Sequence, residues 1–243
     1  MNSALVFGVG SPQGIGAALC RRFVQERYQT FAVGRTAEKL SQTQDSIPVK
    51  GELLQALVAD CTQEADVAKV FAEVESASGS PPSLIVYNAG NNYPAEFPHE
   101  LSSEQFERDW RVCAFGAQLV AREVVLRTIP AGGGTLIFTG ATASIRSKPP
   151  FLSFASAKAA LRAIALGLAR QFSKEGLHVV HVILDGVVNG DQVHQRFPQA
   201  TKMLGEDGML NVDQIADTLW QLHQQDRTVW TTELDIRPFK ENF

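Results

Sequence analysis

The sequence predicts an α/β fold in which a doubly wound parallel sheet carries helices on both faces. Short apolar runs of strand length alternate with amphipathic helical stretches along the whole chain. The first run leads into four glycines within nine residues, and a later run, His178–Leu184, is apolar on both faces, as in a central parallel strand. Because no linker, repeat or low-complexity tract interrupts the pattern, we expect residues 1–243 to form a single domain.

The first strand and the turn after it predict a nucleotide site. Ala4–Phe7 is long enough for a buried strand, and helical spacing begins at Ala17. A strand, a glycine turn and a helix start form the Rossmann-type diphosphate site, because the bare backbone approaches the phosphates and the helix N–H groups face their charge. The alternative is an ordinary turn, which four closely spaced glycines disfavour. The predicted contacts in this turn are Gly10, Ser11, Gln13, Gly14, Ile15 and Gly16.

The end of the second predicted strand, Thr30–Val33, indicates which nucleotide is bound. In dinucleotide folds an acid at this point binds the ribose 2′-hydroxyl, whereas an arginine accommodates a 2′-phosphate. Here no acid is present and Arg35 follows Gly34. We therefore expect NADP(H) rather than NAD(H). A solvated surface arginine is the alternative, because Gln13 leaves the glycine turn without a second cation.

The remaining elements follow from apolar periodicity and from capping residues. Ser102 with Gln105 three positions later is a capping-box arrangement, and the glycines after Pro130 end the helix that it opens. We expect the segment from Asp185 to Gly208 to be a long loop. The further predicted helices are Thr36–Asp45, Gln63–Ser78 capped by Thr62, Ser153–Glu175 and Asn211–Gln225. The further predicted strands are Leu54–Ala59, Leu84–Tyr87, Thr135–Phe138 and Val229–Ile236.

Composition excludes several classes of function. Hydrophobic residues make up 44% and charged residues 20%, which is ordinary for a soluble globular protein. A net charge of −4 provides no basic field for nucleic acid or an anionic membrane, and we expect no membrane span and a cytoplasmic location. The three cysteines are far apart, and His178 and His181 point to opposite faces of a strand. We therefore expect no metal site.

Several motifs in this order resemble the short-chain dehydrogenase/reductase family over essentially the whole chain. Gly10-x-x-x-Gly14-x-Gly16 matches the family's cofactor turn, and Asn88-Ala89-Gly90 matches its motif on the fourth strand. Asp185-Gly186-Val187-Val188 looks like the family's proline–glycine motif with the proline lost. The resemblance implies that the adenine end is held by an acid. The further cofactor contacts that the resemblance implies are Asp60, Cys61, Asn88, Ala89, Gly90, Lys158 and Val188.

The resemblance also locates an atypical active site. The family uses an Asn, Ser, Tyr and Lys tetrad, with the tyrosine and lysine four apart on one helix face. Lys158 matches the lysine, but the tyrosine position is Phe154. Cys113 stands at the asparagine position and Ala141 at the serine position. Cys113 is most simply a small buried apolar residue.

These substitutions separate nucleotide binding from proton transfer. Lys158 needs no phenol in order to hydrogen-bond ribose hydroxyls, so binding should persist. Phenylalanine has no proton for the alkoxide that hydride transfer creates, and positioned acid–base catalysis contributes about 10²- to 10⁴-fold in rate. The candidate substitute donors are Tyr93, Thr142 and Ser144, although a structural role is the alternative for each.

The leading functional prediction is an NADP(H)-dependent reductase or dehydrogenase that acts on a small carbonyl compound or alcohol. The alternative is a catalytically silent NADP(H)-binding sensor or partner subunit. Reduction of a C=C or C=N bond, with a proton taken from water or substrate, is a third possibility. The resemblance implies a homo-oligomer, dimer or tetramer, formed through the two long helices, although their apolar stripes would equally cover the sheet.

Overall fold

A computed structural model describes residues 2–48, 53–90, 98–205 and 207–241 of the chain. The predicted strands are present, each within a residue or two of its expected bounds except the last. The strands are β1 (Ser3–Phe7), β2 (Gln29–Gly34), β3 (Leu54–Val58), β4 (Leu84–Tyr87), β5 (Gly134–Thr139), β6 (Leu177–Leu184), β7 (Val188–Asn189), β8 (Leu210–Asn211) and β9 (Glu233–Ile236).

Seven of these strands form one parallel sheet in the order β3-β2-β1-β4-β5-β6-β9. Strands β1, β2 and β3 lie in order from the centre of the sheet to one edge. The chain then returns to the centre, and β4, β5, β6 and β9 lie in order towards the other edge. This reversal between β1 and β4 confirms the doubly wound parallel sheet. It also opens a crevice at the carboxyl ends of β1 and β4, where such sheets bind ligands.

Helices cover both faces of the sheet. Alternation along β1 sends Leu5 and Phe7 to one face, where Phe7 meets Phe71, and sends Ala4 and Val6 to the other. The helices are α1 (Ile15–Gln25), α2 (Ala37–Ser46), α3 (Glu64–Ser78), α4 (Ser103–Trp110), α5 (Gly116–Glu123), α6 (Leu152–Phe172), α7 (Asp191–Arg196), α8 (Pro198–Leu204) and α9 (Val212–His223).

The long helix predicted after Ser102 is continuous but contains two π-helical segments, Arg111–Phe115 and Val124–Thr128. The Ser102 hydroxyl accepts from the Gln105 N–H as expected for a cap. A π-helical turn disturbs the regular carbonyl pattern and is often found at functional sites. Here the Tyr87 hydroxyl donates to the Val112 carbonyl oxygen at 2.5 Å, which ties this irregular turn to the end of β4.

Three local predictions were wrong. Asp185–Gly208 is not a plain loop, because it contains β7, α7 and α8, and helices of six or seven residues are too short to show the apolar period that reveals longer ones. Thr62 does not cap α3: its hydroxyl donates to the Asp60 carboxylate, and Gln63 stands at the cap position. The last strand begins at Glu233 rather than Val229.

The segment Leu152–Glu175, which contains α6, has the length and the mean hydropathy, 1.4, of a membrane-spanning helix. The sequence prediction overlooked this property. In the fold, α6 packs along the sheet, with Leu161 and Ala165 in the core below it. A central helix of an α/β domain has the same length and composition.

At the amino-terminal edge of the sheet, the imidazole of His223 is enclosed by polar partners. Its Nδ1 is 2.8 Å from the Thr135 hydroxyl and its Nε2 is 2.9 Å from the Tyr28 hydroxyl. Burial, with a smaller contribution from His178, lowers the pKa of His223 to about 4. The folded protein therefore holds this ring neutral at pH values where an unfolded chain would protonate it.

We predict that His223 makes folding stability sensitive to mild acid. The pKa of His223 in the folded protein lies below its ordinary value of 6.5. The stability that the neutral ring contributes is therefore complete above pH 6.5 and is lost as the pH falls towards 4. Between pH 7 and pH 5 the free energy of unfolding should fall by about 2 kcal/mol more in the parent than in His223→Gln. Denaturant unfolding at both pH values measures this. The exposed control His194→Gln should behave as the parent, and equal losses in the parent and His223→Gln would contradict the prediction.

Candidate active site

The glycine turn after β1 is pressed against the end of β4. Gly8 has a φ of 86°, and a Cβ there would lie 2.5 Å from the Ala89 nitrogen. A Cβ on Gly16 would lie 2.8 Å from the Gly8 carbonyl oxygen. The Asn88 side chain donates to that same oxygen at 3.2 Å. These close backbone approaches require glycine and hold the turn at the mouth of the crevice.

Gly10 differs from its neighbours because it faces open space: a Cβ there would meet no heavy atom of the described residues within 4 Å. Its carbonyl oxygen is held from outside by the Thr43 hydroxyl at 3.0 Å, and Arg21 holds the Pro12 carbonyl at 2.8 Å. The turn is therefore fixed in shape while its inner side stays accessible. This is the geometry that a backbone cradle for a phosphate needs.

The start of α1 completes this cradle. The helix begins at Ile15, its cap residue Gly14 has no side chain to bond the first N–H groups, and its first turn contains no acid. Those N–H groups lack intrahelical partners and carry the positive end of the helix dipole. Of the turn residues predicted to bind nucleotide, Ser11 and Gln13 lie in the same loop, with Gln13 exposed.

Two further predicted contacts, Arg35 and Asp60, lie at the ends of β2 and β3, next to Thr62. Arg35, Asp60 and Thr62 line a cavity of about 350 Å³. Asp60 accepts from both the nitrogen and the hydroxyl of Thr62, at 2.9 Å each. One wall of this cavity is formed by α4 and the turn after it. The sequence did not predict this wall, because the helical pattern of α4 does not show that the helix approaches β3. The other lining residues are Glu104, Glu107, Arg108, Arg111 and Val112.

Cys61 lies behind this cavity and is buried. The Tyr87 hydroxyl is 3.3 Å from its sulfur, and burial raises the pKa of the Cys61 thiol. A thiol in this state is a packing residue rather than a nucleophile. The side chain of Cys61 therefore supports the cavity wall, and a nucleotide contact would come from its backbone.

Lys158 is buried at the centre of the site. Its Nζ donates to the Thr139 carbonyl oxygen at 2.7 Å and lies 5.6 Å from the centre of the Phe154 ring. A Cβ on Gly90 would be 3.5 Å from this Nζ and 3.7 Å from the Cys113 sulfur. Burial lowers the pKa of Lys158. The structure thus brings together the residues that the sequence placed at the lysine, tyrosine and asparagine positions, beside the end of β4.

Two of the three candidate hydroxyls have hydrogen-bond partners, Thr142 as a donor and Ser144 as an acceptor. Thr142 donates to the Asp185 carboxylate at 2.5 Å. Ser144 is buried and accepts from the Ala141 nitrogen at 3.0 Å, inside the turn that follows β5. Tyr93 lies outside the described residues. Val188, predicted at the cofactor, lies in β7, and the nearby Gly190 approaches the Gln13 carbonyl oxygen so closely that a Cβ on it would be 3.1 Å away.

Two further buried ionisable groups were not predicted. His181 is fully buried and its Nδ1 lies 3.0 Å from Glu233, which also receives two hydrogen bonds from Arg162 at 2.6 and 2.8 Å. Burial lowers the pKa of His181, and the charge of Lys158 contributes to this lowering. Pairs so distant in sequence leave no local signal, except that Arg162 follows Lys158 by one helical turn.

Asp109 is the second of these groups. It is fully buried between α4 and α6, where it accepts from Ser153 at 2.5 Å and from Gln105 at 2.9 Å. Burial raises the pKa of Asp109. Its position four residues before Cys113, on the same helix face, was the available clue. Within the described ranges, no group of three or more His, Cys, Asp or Glu residues could hold a metal ion.

Known proteins with similar sequences include several dehydrogenases. The family model described as short chain dehydrogenase matches residues 3–200. Glucose 1-dehydrogenase of Gluconobacter oxydans is 31% identical over 185 residues, covering 75% of this chain and 69% of that protein. The 2,3-dihydro-2,3-dihydroxybenzoate dehydrogenase of Bacillus subtilis is 28% identical over 156 residues, which are 64% of this chain and 59% of that protein.

Solved structures agree with this likeness. A short-chain dehydrogenase from Rhodopseudomonas palustris superposes with a TM-score of 0.81 at 29% identity, over 98% of this chain and 99% of that one. The closed form of a serine dehydrogenase complexed with NADP⁺ gives 0.86 at 21% identity, over 99% and 96%, which is a likeness of fold. The predicted family is confirmed, whereas the assignment of Phe154 to the tyrosine position stays a prediction.

We predict that two glycine substitutions separate the binding role of the turn from its structural role. Gly16→Ala should lower the free energy of unfolding by about 1–3 kcal/mol, because its Cβ meets backbone atoms 2.8 Å away. Gly10→Ala should change it by less than about 0.5 kcal/mol, since its Cβ enters open space. It should nonetheless weaken NADPH binding about tenfold by filling the phosphate cradle. Denaturant unfolding and fluorescence titration measure the two effects. Equal destabilisation by both variants, with unchanged NADPH affinity, would show that the turn is merely structural.

Proposed function

This chain belongs to the short-chain dehydrogenase family, and from that premise we propose that it is an NADP(H)-dependent oxidoreductase acting on a small carbonyl compound or alcohol. The buried Lys158 ammonium carries the proposal. It is held at the end of β5 beside Gly90, on the same edge of the sheet as the glycine turn. A nicotinamide nucleotide bound across this edge would supply or accept the hydride.

The residues of the crevice fit such a nucleotide. The open inner side of Gly10 and the unpaired first amides of α1 suit the diphosphate, and Asp60 lies where an adenosine end would follow. Relatives in fold support the same group: one solved reductase from Brucella melitensis is complexed with NADH, and the serine dehydrogenase is complexed with NADP⁺. Because these two structures are only 20% and 21% identical to this chain, its preference between NADPH and NADH has to be inferred from its own residues.

The preference for NADP(H) is supported by two arginines of the cavity, whose lining also contains Asp60, Glu104 and Glu107. Arg35 is exposed, and among the described residues it forms no ion pair. Arg111 lines the same cavity, where its guanidinium donates to the Thr62 carbonyl oxygen at 3.4 Å. A guanidinium matches the geometry of a phosphate, and the end of β2 offers no carboxylate to bind a ribose 2′-hydroxyl.

We assign the proton-handling role to Lys158 itself. Phe154 has no ionisable group, and the proton of the Thr142 hydroxyl is committed to Asp185. Burial lowers the pKa of Lys158, which makes its ammonium a better acid than an ordinary lysine. On this account Lys158 Nζ holds the proton that a newly formed alkoxide takes up.

The engaged hydroxyls also favour one other function, a silent NADP(H)-binding sensor or partner subunit. Both Thr142 and Ser144 already have partners within the turn after β5. Single-turnover mixing of NADPH-loaded protein with a panel of aldehydes and ketones distinguishes the two functions. Oxidation of the bound NADPH by any of them supports the enzyme. Tight NADPH binding without oxidation supports the sensor.

A homo-oligomer forms part of the proposal. The exposed face of the long helix carries apolar side chains, with Phe106 39%, Trp110 40% and Leu126 58% exposed. A second copy that covered them would remove this apolar surface from water. The family's habit of association, rather than a contact seen here, supports a dimer or tetramer.

We predict that Arg35 sets the nucleotide preference. Arg35→Ala should weaken NADPH binding about tenfold or more while leaving NADH binding unchanged, because only the former carries the 2′-phosphate. Fluorescence titration with both nucleotides measures this. The matched control Lys39→Ala, an exposed cation on the adjacent helix, should keep the parent's preference. Equal affinity of the parent for NADPH and NADH would contradict the assignment.

We predict that the single-turnover rate of carbonyl reduction falls as the pH rises through the lowered pKa of Lys158, because the reactive form is the ammonium. Lys158→Met should abolish this dependence. Phe154→Tyr should raise the rate about 10²-fold by restoring a phenol next to the lysine, whereas Phe154→Leu should not. A pH-independent parent rate that Phe154→Tyr leaves unchanged would exclude Lys158 as the proton source.

A further inference from the structure

A buried carboxylate with two arginines lies next to the reacting end of the crevice. Asp185, at the end of β6, is fully buried. One of its oxygens accepts from Thr142 at 2.5 Å, and the other accepts from Arg146 at 2.7 Å and Arg237 at 3.1 Å. Arg237 also pairs with Asp235 at 2.5 Å. The negative charge of Asp185 is therefore shared by two guanidinium groups, and it is shielded from solvent.

Arg146 is the member of this cluster that faces outward. Its side chain is 33% exposed, and its backbone nitrogen donates to the Thr142 carbonyl oxygen at 2.9 Å, so the turn after β5 fixes its position. A guanidinium has five N–H donors, and the carboxylate of Asp185 takes one of those on Arg146.

The Nε of Arg146 is the second observation. This atom is buried and has no acceptor among the described residues. A buried donor without an acceptor is costly, and such atoms in native proteins call for an explanation. The planar fork of an arginine matches a carboxylate or sulfonate through two parallel hydrogen bonds. An anion at the exposed edge of the guanidinium would pair with N–H donors of Arg146 that Asp185 leaves free, whereas Nε itself is closed to solvent.

The position of Arg146 relates this anion to the substrate. Thr142 directly follows Ala141, which stands at the family's serine position, and Asp185 directly precedes Gly186 of the segment that leads to Val188. We infer that Arg146 binds an anionic group on the substrate, so that this enzyme acts on carbonyl compounds or alcohols that carry a carboxylate or a sulfonate. The inference rests on the proposed function, because it assigns the substrate class of the same site.

Asp185 has the role of positioning residue for Arg146. Its carboxylate fixes one edge of the guanidinium, and Arg237, paired with the same carboxylate oxygen, offsets the charge of Asp185 towards an approaching anion. Lys158 contributes a second cation to the same site. An anionic substrate would therefore meet positive charge at both ends of its path to the nicotinamide.

Matched neutral and charged substrates test the inference. Terephthalaldehydic acid and its methyl ester differ in one charge, as do pyruvate and methyl pyruvate. In the parent, kcat/KM should favour the acid of each pair by about tenfold or more, mostly through KM. Arg146→Gln should remove this preference by lowering kcat/KM for the acids while leaving that for the esters unchanged.

Two further variants keep the test valid if Arg146→Gln disturbs folding. Arg146→Lys retains the charge beside Asp185 but loses the fork, so it should fold normally and keep only part of the preference. Lys69→Gln removes a cation that is 75% exposed on α3 and should keep the whole preference. Thermal unfolding of each variant shows whether a loss is specific to substrate binding.

A binding measurement gives a readout independent of turnover. Benzoate should bind the protein loaded with NADP⁺ at least about tenfold more tightly than benzamide does, and Arg146→Gln should abolish the difference. If NADPH is oxidised but acids and esters react equally, and benzoate binds no better than benzamide, the inference is wrong while the proposed function stands. If NADPH does not bind, the proposed function fails first. Benzoate binding that depends on Arg146 would then still support the anion site.

Discussion

The hydrogen bond from Lys158 Nζ to the Thr139 carbonyl oxygen is the interaction on which the candidate site depends. A buried ammonium is costly unless its donors are satisfied, so the end of β5 and the first half of α6 must stay aligned. Neighbouring contacts enforce this alignment: Thr139 donates to Asn88 at 3.1 Å, and Arg162, one turn after Lys158, is bound by Glu233. The lysine is therefore held by the carbonyl oxygen at the end of β5, and the Phe154 ring beside its ammonium adds no hydrogen bond.

On the proposed function, nucleotide binding and proton transfer depend on different residues of one scaffold. The nucleotide turn is shaped by backbone contacts between Gly8, Gly16 and the end of β4, and none of them involves the ring at position 154. On the proposed function, phenylalanine at this position leaves those contacts intact and changes only the supply of a proton. The buried Lys158 ammonium would then supply that proton, and a charge on the substrate would help to orient it.

Much of the fold could be predicted because its signals are local. Apolar runs of strand length and the glycines after β1 predicted the parallel sheet, the crevice and the first helix. The short helices α7 and α8 were missed because six or seven residues are too few to show a clear apolar period. The links between Arg146 and Asp185, and between His181 and Glu233, join residues far apart in sequence. Only the folded sheet brings them together, and with them most of the electrostatics of the site.

The central claim is that this chain binds a nicotinamide nucleotide although Phe154 replaces the usual proton donor. Titration calorimetry of the unmodified protein with NADPH tests it most directly, because heat of binding requires neither a substrate nor turnover. The account predicts a saturable heat that corresponds to one nucleotide per chain. The absence of heat with both NADPH and NADH would contradict it.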